Sequence, residues 1–199
     1  MSGHVMNIRV LLPFLLLANC SQGPEPATAT PPLAGATIGG PFALTDQRGR
    51  QVSDRDFTGK YRIVYFGYTF CPDVCPTDVQ HIAAAMKLLD WPDPGLAART
   101  VPIFITVDPQ RDTPAVLKQF TSAFDPRIVG LTGNPQDIAG IAKAYGIYYR
   151  QGAPTANGGY VVDHSRQSYL MAPDGKPLAL LPQEQGPEAI VREIERWAS

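Results

Sequence analysis

Hydrophobic and polar residues change period several times along the chain, and each change predicts an element. Phe42-Ala43-Leu44-Thr45, the polar stretch Asp46-Gln47-Arg48-Gly49 and then Gln51-Val52 form the pattern of a hairpin around a polar turn. Arg62 to Gly67 (RIVYFG) is a continuous β-branched and aromatic run, which predicts a central strand buried on both faces. Val79, Ile82, Ala83, Met86 and Leu89 follow at helical spacing, a stripe that faces a core. Val101 to Val107 (VPIFITV) predicts a second strand. Thr113 and Pro114 then supply the cap and first residue of a helix carrying Val116, Leu117 and Phe120. Ile128 to Leu131 is a third strand, and Asn134-Pro135 opens a helix reaching about Ala144, before Gly146.

The last third changes character. Tyr148-Tyr149-Arg150 leads into a loop rich in Gly, Pro and Asn through Gly159, and Tyr160 to Val162 is a short apolar strand that leaves Asp163 and His164 in a loop. Ser168 to Met171 and Leu178 to Leu181 flank Asp174-Gly175, a hairpin signal. Pro187 opens a terminal amphipathic helix with Ile190, Ile194 and Trp197 on its apolar side. Parallel βαβ units followed by a late hairpin and a closing helix predict an α/β, thioredoxin-like sandwich with an N-terminal β-hairpin and a C-terminal hairpin plus helix.

Length and composition limit the remaining choices. The chain has 199 residues, 44% of them hydrophobic, enough for one well-buried domain. Its net charge is −1 with Lys and Arg scattered, which excludes a nucleic-acid surface. Arg9 precedes an apolar run from Val10 to Ala18, about half the ~20 residues a spanning helix needs, so residues 1–19 read as a signal peptide. Leu17-Ala18-Asn19-Cys20 resembles a bacterial lipoprotein signal, in which Cys20 is lipidated; the alternative is an ordinary signal peptide with an incidental Cys20. Either exports the domain, and the lipoprotein reading anchors it to the periplasmic side of the bacterial inner membrane. Residues 20–40, rich in Pro, Ala, Thr and Gly, read as a flexible tether, and 41–199 as the folded domain.

Two thiols remain in the domain, Cys71 and Cys75, where a buried strand hands over to a helix. A disulfide closing so short a loop removes little entropy from the unfolded chain, so chemistry explains the pair better than stapling. One turn apart, their Cα atoms sit about 6 Å from each other, close enough for a redox disulfide or a shared metal. The helix N-terminus favours thiolate, the form that binds metal. Two thiolates with a neutral imidazole suit Cu(I), or Cu(II) with an added oxygen ligand; zinc accepts the same atoms, but a closed zinc site wants four protein ligands. The domain has two histidines. His81 lies in the helix and points to solvent or a polar neighbour, and for His164, taken alone, a structural role is favoured.

Four ordered segments alter that balance: YFGYTFCPDVCPTD (65–78), TVDPQRDTP (106–114), VDHS (162–165) and YLMAPDG (169–175). Together they resemble the Sco/SenC family of membrane-tethered copper proteins that serve cytochrome c oxidase assembly, over nearly the whole exported domain. The resemblance implies that Cys71, Cys75 and His164 are copper ligands. It implies delivery of copper to the dinuclear copper centre of the oxidase, with the copper-centre subunit as partner and a periplasmic copper donor or thiol reductant behind it. Asp108 and Asp163 either support His164 and a partner contact or are ordinary turn residues. The alternative activity is a thiol-disulfide reductase in which Cys71 and Cys75 are the catalytic redox pair that keeps the oxidase cysteines reduced. Cys75-Pro76-Thr77 also resembles the VCPT segment of peroxiredoxins, but Pro72 stands where those enzymes carry a peroxide-binding Thr.

Overall fold

In a computed structural model, residues 29–155 and 158–198 are described. The signal peptide, Cys20 and the first part of the tether lie outside them. The hairpin forms as β1 (Ala43–Asp46) and β2 (Gln51–Ser53), with Leu44 opposite Val52. The apolar run becomes β3 (Tyr61–Gly67), every residue of it buried. After it come α1 (Val74–Leu89), α2 (Pro94–Arg99) and β4 (Thr100–Thr106). Next are α3 (Pro114–Ser122), β5 (Val129–Thr132) and α4 (Pro135–Ala144). Thr113 and Asn134 cap α3 and α4 by accepting the Val116 and Asp137 N–H groups, each ahead of a proline that needs no such bond. The chain closes with β6 (Tyr149–Gln151), β7 (Val162–His164), β8 (Ser168–Met171), β9 (Pro177–Leu181) and α5 (Pro187–Trp197).

Seven strands make one sheet in the order β2-β1-β5-β4-β3-β8-β9, with β3, β4 and β5 parallel and the outer pairs antiparallel. Side-chain alternation assigns the helices to its two faces. Tyr65 and Phe104 meet on one face, where Phe104 packs on Phe120 of α3 and α1 packs on α5. Phe66 points to the other face, against Tyr145 just after α4, which in turn meets Tyr169 of β8. Helices on both sides of a largely parallel sheet, extended by a terminal antiparallel hairpin, give the expected thioredoxin-like sandwich.

Three details differ from expectation. The last part of the predicted tether is a strap on the domain: Leu33 donates its N–H to the Leu178 carbonyl, Gly39 donates to that of Ala144, and Leu33 and Ile38 are partly buried against the core. Two isolated apolar side chains and a free carbonyl on edge strand β9 suffice to hold a stretch whose composition reads as linker. Helix α2 is too short for a periodic signal; it starts at Asp93, whose carboxylate accepts the Leu96 N–H. Finally, β7 begins two residues later than expected and pairs with β6 in a separate two-stranded ribbon, so His164 ends a strand, opposite Tyr149.

Candidate metal centre

The end of β3 dictates the site. Gly67 has no side chain where an added Cβ would stand 3.1 Å from Cys75 Sγ, so the strand brings its backbone directly under the sulfur. Residues 68–73 then turn into α1. Asp112, fully buried, ties this turn to β4 by accepting the Thr69 N–H (3.0 Å), the Thr69 hydroxyl (2.6 Å) and the Thr106 hydroxyl (2.6 Å). Cys71 is half-buried in the turn; Cys75 is the second residue of α1 and wholly buried. The Asp73 side chain makes no cap bond, and the Cys75 N–H donates instead to Cys71 Sγ (3.4 Å). Cys71 therefore occupies the positive end of the helix.

His164 arrives from the ribbon, 89 residues from Cys75. Its Nε2 lies 3.2 Å from Cys75 Sγ, and its Nδ1 lies 2.8 Å from the Ser165 carbonyl. A carbonyl oxygen can only accept, so Nδ1 carries the proton and the Nε2 lone pair faces the sulfurs, the tautomer a metal requires. The Tyr68 ring meets the imidazole edge-on, with centroids 5.8 Å apart. Cys71, Cys75 and His164 offer ligand atoms that all lie within 4.8 Å of one another. An ion about 2.3 Å from sulfur and 2.0 Å from nitrogen in trigonal array wants its ligand atoms about 3.7–4.0 Å apart, so the set fits with sub-ångström adjustment.

The two sulfurs are electrostatically unequal. The hydrogen bond from the Cys75 thiol pulls Cys71 down to about 3 against the opposing effect of burial, and the Asp73 and Cys75 N–H groups add to it. The same shared proton, together with burial, holds Cys75 as a thiol, its pKa far above the ordinary value. Cys71 is the half-buried thiolate and Cys75 the buried thiol of a coupled pair.

A second buried carboxylate pins the His164 segment to α1. Asp78 accepts the Tyr65 hydroxyl (2.9 Å) and both Nε (3.1 Å) and Nη2 (2.8 Å) of Arg166, two residues beyond the histidine. Of the residues expected beside His164, Asp108 is buried but serves another partner: it accepts the Tyr160 hydroxyl (2.8 Å) and the Arg111 Nε–H. Asp163 is exposed and lies across the ribbon from Arg150, 3.9 Å away; adjacent residues of a strand point to opposite faces, so it turns away from the imidazole beside it. His81 Nδ1 contacts the Gln183 carbonyl (2.7 Å), the polar neighbour expected. Arg111, Asp112, Tyr65 and Asp78 were not singled out from sequence, although all four sit inside the two segments quoted as 65–78 and 106–114.

The sequence model of the SCO1/SenC family matches residues 30–199. Protein SenC of Rhodobacter capsulatus is 43% identical over 167 residues, covering 81% of this chain and 71% of that protein. The mitochondrial SCO2 homolog of Bos taurus is 42% identical over 147 residues, 73% of this chain, and the chain spans only 54% of its length. Among solved structures, Arabidopsis thaliana ScoI with copper bound superposes with a TM-score of 0.74 at 35% identity, covering 80% of this chain and 99% of that one. Sequence match, fold and the Cys-Cys-His cluster agree: the chain belongs to the SCO1/SenC family.

Proposed function

We propose that the protein is an exported copper chaperone for assembly of the dinuclear copper centre of cytochrome c oxidase, with copper as its cargo. The observation that carries this reading is the convergence of Cys71 Sγ, Cys75 Sγ and the unprotonated His164 Nε2 within 4.8 Å. Two sulfurs and one imidazole are soft enough for copper, and three protein ligands leave the ion open to attack. Cys71, half-exposed, is the ligand that an incoming thiol of the oxidase subunit can displace, whereas Cys75 and His164 hold from within. Loading must expel the proton that Cys75 keeps in the metal-free state, so binding releases protons. The copper-bound Arabidopsis relative supports the assignment.

The export signal supports placement on the periplasmic side of the bacterial inner membrane, anchored through a lipid on Cys20. Among the described residues, no helix is long and apolar enough to cross a membrane. A periplasmic copper donor or thiol reductant completes the set of partners.

The asymmetry of the thiols favours a second, compatible reading. Thiolate Cys71 is placed to attack a disulfide of the target, and Cys75 to resolve the mixed disulfide, leaving the target reduced and this pair oxidised. His164→Ala separates the two. The reduced wild type is expected to bind one copper ion, and the variant to bind it at least tenfold more weakly, to fail in oxidase maturation and to retain thiol exchange. No copper binding by reduced wild type refutes the chaperone reading, and normal oxidase maturation by the variant favours the reductase.

A further inference from the structure

The ribbon that presents His164 is not part of the seven-stranded sheet, so whatever holds it to the cysteine turn decides whether imidazole and sulfurs meet. On the C-terminal side the hold is the Arg166–Asp78 pair. On the N-terminal side the contacts centre on one guanidinium, beside a Val162 N–H bond to the Tyr68 hydroxyl. Arg111 Cζ lies 3.6 Å from the ring centroid of Tyr160, 4.9 Å from that of Phe70 and 5.6 Å from that of Tyr68. Its Nη1 donates to the Tyr160 carbonyl (2.9 Å), and its Nε to Asp108, whose other oxygen takes the Tyr160 hydroxyl (2.8 Å). Nη2 is buried with no hydrogen-bond partner, on a guanidinium whose Cζ lies within 5.6 Å of three ring centroids. One side chain thus joins the cysteine turn, the loop after β4 and the start of β7. Behind the ribbon lies a cleft of about 110 Å³, lined in part by Pro109, Tyr149 and Tyr160, so the ribbon has room to shift once released.

We propose that Arg111 is the positioning residue for His164: it clamps the ribbon at Tyr160 and thereby sets the distance from the imidazole to Cys71 and Cys75. The inference rests on the copper-site reading of those three residues. The Tyr68 ring, which touches both the Arg111 stack and the imidazole, is the natural reporter.

In reduced, metal-free wild-type protein, NMR should show cross-peaks between the Tyr68 and His164 rings, and Arg111→Ala should lose them while keeping those between Tyr145 and Tyr169 in the core. With Cu(II) added, the wild type should show nitrogen hyperfine splitting in its electron-spin spectrum. The variant should lose that splitting and bind copper about 10- to 100-fold more weakly, the range for loss of a supporting partner around a metal. Because Arg111→Ala leaves Asp108 buried without its cation, the double variant Arg111→Ala with Asp108→Asn removes both charges, and it must show the same losses. Tyr68–His164 cross-peaks, nitrogen splitting and copper affinity that all persist in a folded variant overturn the proposal. If wild-type protein binds no copper, the copper-site reading fails, and the cross-peaks alone still decide whether Arg111 positions the histidine.

Discussion

Gly67→Ala adds one methyl group at the point where β3 passes under the site. An ideal Cβ there stands 2.9 Å from Tyr65 Cε1, 3.1 Å from Cys75 Sγ and 3.1 Å from Phe104 Cε2. Carbon contacts are comfortable at about 3.5–4.0 Å, so several neighbours must retreat by tenths of an ångström. None is free to do so. The Tyr65 hydroxyl is bonded to Asp78, Phe104 packs on Phe120, and Cys75 is fixed in the first turn of α1. Overpacking of this kind costs about 1–3 kcal/mol. The alanine also restricts the unfolded chain, which returns about 0.4–1 kcal/mol. The net expectation is a loss of about 0.5–2 kcal/mol, or roughly 1–8 °C in Tm for a domain of this size. Displacing Cys75 Sγ also disturbs its 3.2 Å approach to His164, so copper affinity should fall by about tenfold, the lower end for a misplaced ligand. Urea unfolding of reduced, metal-free protein measures the first effect, and competition with a copper chelator the second. A variant as stable as wild type with unchanged copper affinity refutes the reasoning, because it means that the strand end has space for a side chain.

Asp78→Asn should destabilise the domain by about 1–3 kcal/mol in urea unfolding, because it removes the buried charge that faces half-exposed Arg166 and leaves the Tyr65 hydroxyl poorly matched; a loss under about 0.5 kcal/mol speaks against the network. In metal-free protein, iodoacetamide should modify Cys71 and spare Cys75. The folded Cys71 stays thiolate until the pH falls toward about 3, so its rate should be nearly flat from pH 8 to 5, and a tenfold drop per pH unit over that range contradicts the shared-proton description.

Much of the fold was legible because its signals are local. Thr113-Pro114 and Asn134-Pro135 start their helices at the expected residues, since a capping side chain and a fixed φ act on the next turn alone. Asp174-Gly175 turns β8 into β9 for the same kind of reason, with Gly175 at φ +89 and Lys176 N–H on the Asp174 carboxylate. Where tertiary partners compete with local pattern, the structure departs from the pattern. The apolar Tyr160-Val161-Val162 looks like a strand, but Tyr160 is drawn to Arg111 and Asp108, and pairing starts at Val162. Linker-like residues before Pro41 became a strap because Leu33 and Ile38 found apolar ground that no composition reveals.

The candidate site divides in the same way. Sequence alone determined the pair: an apolar run long enough for a buried strand, followed by a helical stripe, leaves Cys71 and Cys75 at the junction where amide N–H groups favour a thiolate. Motif resemblance added His164. Only the tertiary structure decided that the Nε2 of a residue 89 positions away reaches Cys75, that Ser165 selects its tautomer, and that Asp108 bonds Arg111 and Tyr160 instead of the imidazole. The physical reason is range: helix caps, turns and strand periodicity are set by neighbours a few residues apart, whereas a ligand set from two distant segments exists only once a packed core holds their backbones in register.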